Sequence, residues 1–157
     1  MRWRHMVAGA LGITAAVAWA TLMVAEAPRY LVATRIVTGS GEPLLLRLFV
    51  LPAMVQGIAG ALLVIPMAIT GVAVMLRVRK AATGLRGMAL AGFATAGSVV
   101  LVFGGIVLTN PGVGPRQLGM AAQLELVGAA ALLLLHGATA LALSSPRALG
   151  QQPDGVA

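Results

Sequence analysis

The sequence predicts an all-α integral membrane protein of four transmembrane helices. Three observations carry that prediction: 59% hydrophobic residues against 10% charged, a mean hydropathy of +0.96, and four long stretches almost free of charge. A soluble domain carries about 25% charged residues and coats its surface with them. A chain this poor in charge lacks that coat, and in lipid its backbone groups are satisfied only by structures that bond internally.

The first span is expected over residues 6–26. Residues 6–25 carry no charge and reach about 30 Å as a helix, the thickness of the hydrocarbon core. The basic start, Arg2 and Arg4, and the small residues around Glu26 imitate a secretory signal peptide. Pro28 would follow the cut directly, so the reading is an uncleaved helix. The connection over residues 27–47 contains Tyr30, Leu31, Val32, Ile36 and Val37. That is too apolar for a plain loop, and it predicts a short interfacial helix with Arg29 and Arg35 turned to water and lipid phosphates.

The second span is expected over residues 48–76, uncharged throughout and about 43 Å long if wholly helical, so it must tilt or bend. Pro52 and Pro66 each remove a backbone donor and predict kinks, with Gly57, Gly60 and Gly71 adding local freedom. The third span, residues 87–108, stops at the turn formers Thr109, Asn110, Pro111 and Gly112. The fourth, residues 118–143, stops at Ser144, Ser145 and Pro146. Residues 1–145 thus form one transmembrane domain, and residues 146–157 a polar tail without regular structure. A match between residues 60–65 and 130–135 is no stronger than apolar low complexity produces by chance.

A net charge of +7 and an isoelectric point near 11.8 would suggest nucleic acid in a soluble protein. Here the cations sit in the short connections, and aromatic residues make up 4% of the chain, too few to stack on bases. Nucleic acid is therefore excluded as a partner; the partners expected are the lipid bilayer and other membrane protein subunits. With the N-terminus in the cytoplasm, that side holds Arg2, Arg4, Arg77, Arg79, Lys80, Arg86 and Arg147, against Arg29, Arg35, Arg47 and Arg116 opposite. The positive-inside rule then places both termini in the cytoplasm of a bacterial-type inner or plasma membrane.

The absence of cysteine excludes disulfides, thiolate metal sites and a cysteine nucleophile. His5 and His136 are the two imidazoles. They belong at depths that differ by about 10 Å or more, so a bis-histidine haem held by this chain alone is not expected, and the question of a cofactor stays open.

Ionisable groups in a bilayer cost about 2.5–3.5 kcal/mol on insertion scales, so each calls for a reason. Glu125 and His136 are eleven residues apart, close to three helical turns, and project from one face about 16 Å apart. Thr139 falls near that face, and Gly128 lets another helix approach beside it. Two readings follow: a polar path in which Glu125 accepts a proton and His136 passes it, or two hydrogen-bonded anchors that fix helix packing. Gln56, Thr95 and Ser98 are expected as interhelical glue. Gly12, Ala16 and Ala20, and likewise Gly92 and Ala96, form small-residue ridges, and Gly60 is a further close-packing position. Paired intramembrane carboxylates, a nucleophile elbow, a phosphate-binding glycine loop and metal-spaced clusters are all missing from the pattern, which argues against an autonomous enzyme.

The favoured function is a structural or accessory subunit packing against larger partners, in an electron-transfer or transport assembly. The alternatives are a small oligomeric proton-coupled transporter or channel using Glu125 and His136, and a lipid- or quinone-handling protein with a lateral groove beside the proline-bearing second span.

Overall fold

A computed structural model of the chain describes residues 2–41, 43–78, 80–109 and 120–144. All regular structure among them is helical: α1 (Arg2–Thr38), α2 (Leu44–Met75), α3 (Ala81–Thr109) and α4 (Met120–Ala142). Each contains a stretch long and apolar enough to cross a membrane: Trp3–Thr38, Val50–Met75, Ala81–Gly105 and Gln123–Ala142. The Asn110, Pro111 and Gly112 turn and the tail at residues 146–157 lie outside the described residues.

Short connections force sequential helices to run antiparallel. α1 packs most extensively on α2 and also on α4, α3 packs on α2 and α4, and α1 and α3 barely touch. The four helices therefore close into an up-down-up-down ring with α1 and α3 on a diagonal. The core runs down α1 through Ala8, Ala15, Ala16 and Trp19, joined by Met67 and Val74, Leu85 and Ala96, and Leu132 and Leu143. Large apolar residues also face outward on every helix, among them Val24, Leu62, Leu101 and Leu134, as they must where the surroundings are hydrocarbon.

Lipid is as apolar as leucine, so helices apolar enough to cross a membrane associate through close approach. Gly9 lies against Gly71 and Met75, Gly12 against Leu85, Gly57 against Tyr30, and Gly60 against Trp19 and Met23. The ridge of Gly12 and Ala16 is buried, with Ala20 partly so.

Two expectations are corrected. The interfacial helix after residue 26 does not exist as a separate element, because α1 continues through Pro28 to Thr38. Proline removes one backbone bond, but Tyr30 and Ala33 continue the apolar stripe and pack against Ala53, so tertiary contact carries the helix past it. At 37 residues, about 55 Å, α1 is longer than a hydrocarbon core is thick, so a membrane would hold it tilted or with an end projecting. α3 begins at Ala81 rather than residue 87, taking Arg86 into its first turns, where a long stem lets the charge reach toward the helix end. α2 also runs unbroken through Pro52 and Pro66.

The turn between α2 and α3 closes by a Schellman motif. The Val78 N–H donates to the Ala73 carbonyl at 2.9 Å and the Arg77 N–H to the Val74 carbonyl at 3.0 Å. The motif needs a left-handed residue just past the helix end, usually glycine. Here it is Arg77, φ 61°, and Lys80 at φ 67° repeats that conformation before α3.

Candidate functional site

Of the sequence-derived site residues, Glu125, Gln56 and His136 fall into two polar layers, both anchored on α1. In the ionic layer, Arg29 Nη1 lies 2.7 Å from Glu125 Oε2 of α4 and 3.7 Å from Glu26 Oε2 one turn back on α1. Glu125 is fully buried, the Glu26 side chain is 5% exposed and that of Arg29 30%. The guanidinium stands over the Phe103 ring of α3 at 5.7 Å, within cation–π range. Close by on α1, Tyr30 accepts a hydrogen bond at its hydroxyl from Gln56 Nε2 of α2, 3.3 Å long. Oε1 of both Glu125 and Gln56 has no hydrogen-bond partner among the described residues.

This layer overturns two expectations. Arg29 does not turn to lipid phosphates; it serves as the counter-charge of two carboxylates. A pair of carboxylates does exist inside the bundle, Glu26 and Glu125 facing one guanidinium nitrogen, where the sequence pattern had suggested none; the first span was expected to end at residue 26. The spacing of Glu26 and Arg29, which places them on one helix face, was the available signal.

In the neutral layer, Trp19 Nε1–H donates to His136 Nε2 at 2.8 Å, with the rings tilted by 48°. A nitrogen that accepts carries no proton in the neutral imidazole, so the proton belongs on Nδ1, which has no partner among the described residues. Both side chains are fully buried. The imidazole rests on Gly92 of α3, where any Cβ would overlap the ring atoms Nε2, Cε1 and Cδ2. Trp19 was not singled out from the sequence, since a lone tryptophan in an apolar run reads as core.

Glu125 and His136 share a face and both are buried, but they do not meet. Leu22, Ala129 and Leu132 are buried between the layers, and Leu22 fills the space above Gly128. The Thr139 hydroxyl donates to the Leu135 carbonyl at 2.7 Å, within its own turn. Thr95 and Ser98 likewise bond within α3, to the Ala91 and Thr95 carbonyls, so the expectation that they glue helices together is corrected; Gln56 alone of the three bonds across. His5 stands near the start of α1, fourteen residues from the partner of His136, or about 21 Å along the axis. Groups of three or more metal-ligating side chains do not occur among the described residues.

Two concavities adjoin the ionic layer. A groove of about 300 Å³ lies between α1 and α2, walled by Met23, Ala27, Tyr30, Leu31, Thr34, Met54, Gly57, Ile58 and Ala61. A smaller one of about 170 Å³, walled by Arg29, Val32, Ala33, Ile36, Val50, Ala53 and Phe103, reaches α3.

Compared with family models, with curated proteins and with solved structures, the chain matches none. Its class is therefore defined by its own fold: an all-helical bundle whose four long apolar helices are compatible with an integral membrane protein.

Proposed function

We propose that this chain is a multi-pass membrane subunit that works through its helix surfaces, packing against larger membrane partners in a transport or electron-transfer assembly. The observation that carries this reading is the internal use of its intramembrane polar groups. Arg29 clamps α1 to Glu125 of α4, Trp19 clamps α1 to His136 of α4, and Tyr30 joins Gln56 of α2. Buried apolar residues separate the layers, whereas a conducting route needs polar groups in series. The outer face of α3 offers the complementary feature: Gly84, Gly87 and Ala91 are exposed, and the space beside the two glycines is open. In this reading both termini are cytoplasmic, by the distribution of basic residues.

Extraction in mild detergent tests it. A partner is expected at fixed stoichiometry and is expected to be lost from the Gly87→Leu, Ala91→Leu variant, which retains the fold. A stable monomer without partners overturns the proposal. In the rival proton-coupled transporter, Glu125→Gln abolishes flux in reconstituted vesicles, so unchanged flux removes that reading. The lipid- or quinone-handling reading is favoured by one observation, the apolar groove between α1 and α2. A hydrophobic photoprobe should then label Met54 or Ile58, and an Ala61→Trp substitution should block labelling.

A further inference from the structure

We propose that the end of the bundle holding the α2–α3 turn is a docking surface for an anionic membrane phospholipid, whose phosphate is received by Arg77 and Lys80 and whose chains lie along Leu76 and Val78. The inference rests on the membrane-spanning reading of the four helices and not on any particular partner.

The packing brings the cations to one end. Gly9 near the start of α1 lies against Met75 at the end of α2, and Gly12 against Leu85 near the start of α3, so Arg77, Lys80 and Arg86 stand around the same mouth of the ring. Glu26 and Glu125, the carboxylates among the described residues, belong to the ionic layer toward the other end, away from Arg77, Lys80 and Arg86. Arg77 and Lys80 have exposed side chains, and Arg86 Nε is without a hydrogen-bond acceptor among the described residues. Arg77 and Lys80 therefore present a cationic surface complementary to an anion.

The neighbouring side chains decide which anion. Leu76 is 74% exposed and Val78 55%, interleaved with the cations on a single turn, and Trp3 is exposed at the same end. Two large apolar side chains turned outward beside two cations match an amphiphile, with a phosphate for the guanidinium and ammonium and hydrocarbon for Leu76 and Val78. An exposed tryptophan at a helix end is the usual marker of headgroup depth. Inorganic phosphate and nucleic acid would satisfy only the charges. The turn is also held in a fixed shape by the hydrogen bonds from Val78 and Arg77, so the two cations are presented by ordered backbone.

The test uses the full chain in phosphatidylcholine nanodiscs doped with phosphatidylglycerol, with bound lipid counted by native mass spectrometry after release into mild detergent. Saturable retention of phosphatidylglycerol over phosphatidylcholine is expected. Each basic residue beside an anionic surface contributes about fivefold to affinity, so Arg77→Gln with Lys80→Gln should weaken retention roughly 30-fold. Arg35→Gln, exposed near the other end of α1, should leave it unchanged, and the charge-conserving Arg77→Lys, Lys80→Arg pair should retain it with the same helical circular dichroism. Equal retention of phosphatidylcholine, an equal loss with Arg35→Gln, or displacement by inorganic phosphate in tenfold excess overturns the proposal. A chain that stays dispersed without detergent instead overturns the membrane reading itself, so the two failures are distinguishable.

Discussion

The ionic and neutral layers join the same two helices, α1 and α4, by opposite means. Around Arg29, two carboxylates converge on one nitrogen, the cation is partly exposed, and its alignment is set by charge as much as by fit. Around His136, no formal charge is needed, everything is buried, and the imidazole is held between the Trp19 N–H and the bare backbone of Gly92. Removing a counter-charge should therefore be the severe lesion in the first layer, and adding volume the severe lesion in the second.

The largest expected effect tests the first half of that contrast. Arg29→Gln leaves Glu26 and Glu125 facing each other without a counter-charge, and loss of one member of a buried ion pair costs about 3–5 kcal/mol. Glu125→Gln leaves Arg29 with Glu26 at 3.7 Å, and should cost only about 1 kcal/mol, the scale of an ordinary hydrogen bond. Unfolding in mixed micelles of rising sodium dodecyl sulfate fraction, followed by far-ultraviolet circular dichroism, measures both. If the two variants lose equal stability, Arg29 is not a shared counter-charge.

Next in size is Gly92→Ala. A methyl group placed on the imidazole forces α3 away from α4 or drives His136 off Trp19, and overpacking of this kind costs about 1–3 kcal/mol. The same substitution at Gly104, where nothing stands near the added Cβ, should be neutral or slightly stabilising through helix propensity. Trp19 fluorescence offers a second readout, since its environment changes only when the Gly92 seat is filled. Equal melting of the two variants would show that the seat is not tight.

Trp19→Phe probes the hydrogen bond itself. It leaves His136 Nε2 buried without a donor, at a cost of about 1–3 kcal/mol. Trp19→Phe combined with His136→Leu removes both partners, and should recover part of that loss, because an apolar pair leaves nothing unsatisfied. A double variant weaker than the sum of its singles would mean that packing, not hydrogen bonding, dominates this layer.

The sequence alone made four long apolar helices legible, because low charge over about twenty residues has few other solutions. It also placed Glu125 and His136 on one face, and expected Gln56, Thr95 and Ser98 to bond between helices, of which only Gln56 does. The register between helices was hidden. Arg29 was expected on a separate interfacial helix, facing water and lipid phosphates, yet the stripe of Trp19, Leu22, Glu26, Tyr30 and Ala33 keeps helical spacing straight through Pro28. Local chemistry argued for an end, and packing overruled it. Gly92 was visible as one small residue among many, and only the opposing helix shows which glycine must be bare.

The smallest expected effect lies outside both layers, at the α2–α3 turn. Arg77 holds a left-handed backbone, φ 61°, which costs an L-residue roughly 1–2 kcal/mol relative to the right-handed region and glycine almost nothing. Its positive charge lies at the C-terminus of α2, where the helix dipole returns about 0.3–1 kcal/mol. Arg77→Gly should therefore stabilise the bundle, by about 1 kcal/mol or less, measured in the same mixed-micelle titration. The gain should shrink at low ionic strength, where the dipole term lost with the charge is largest. A loss of stability would mean that the arginine side chain holds the turn through contacts stronger than the backbone strain, and that this end of the bundle, like the ionic layer, depends on charge.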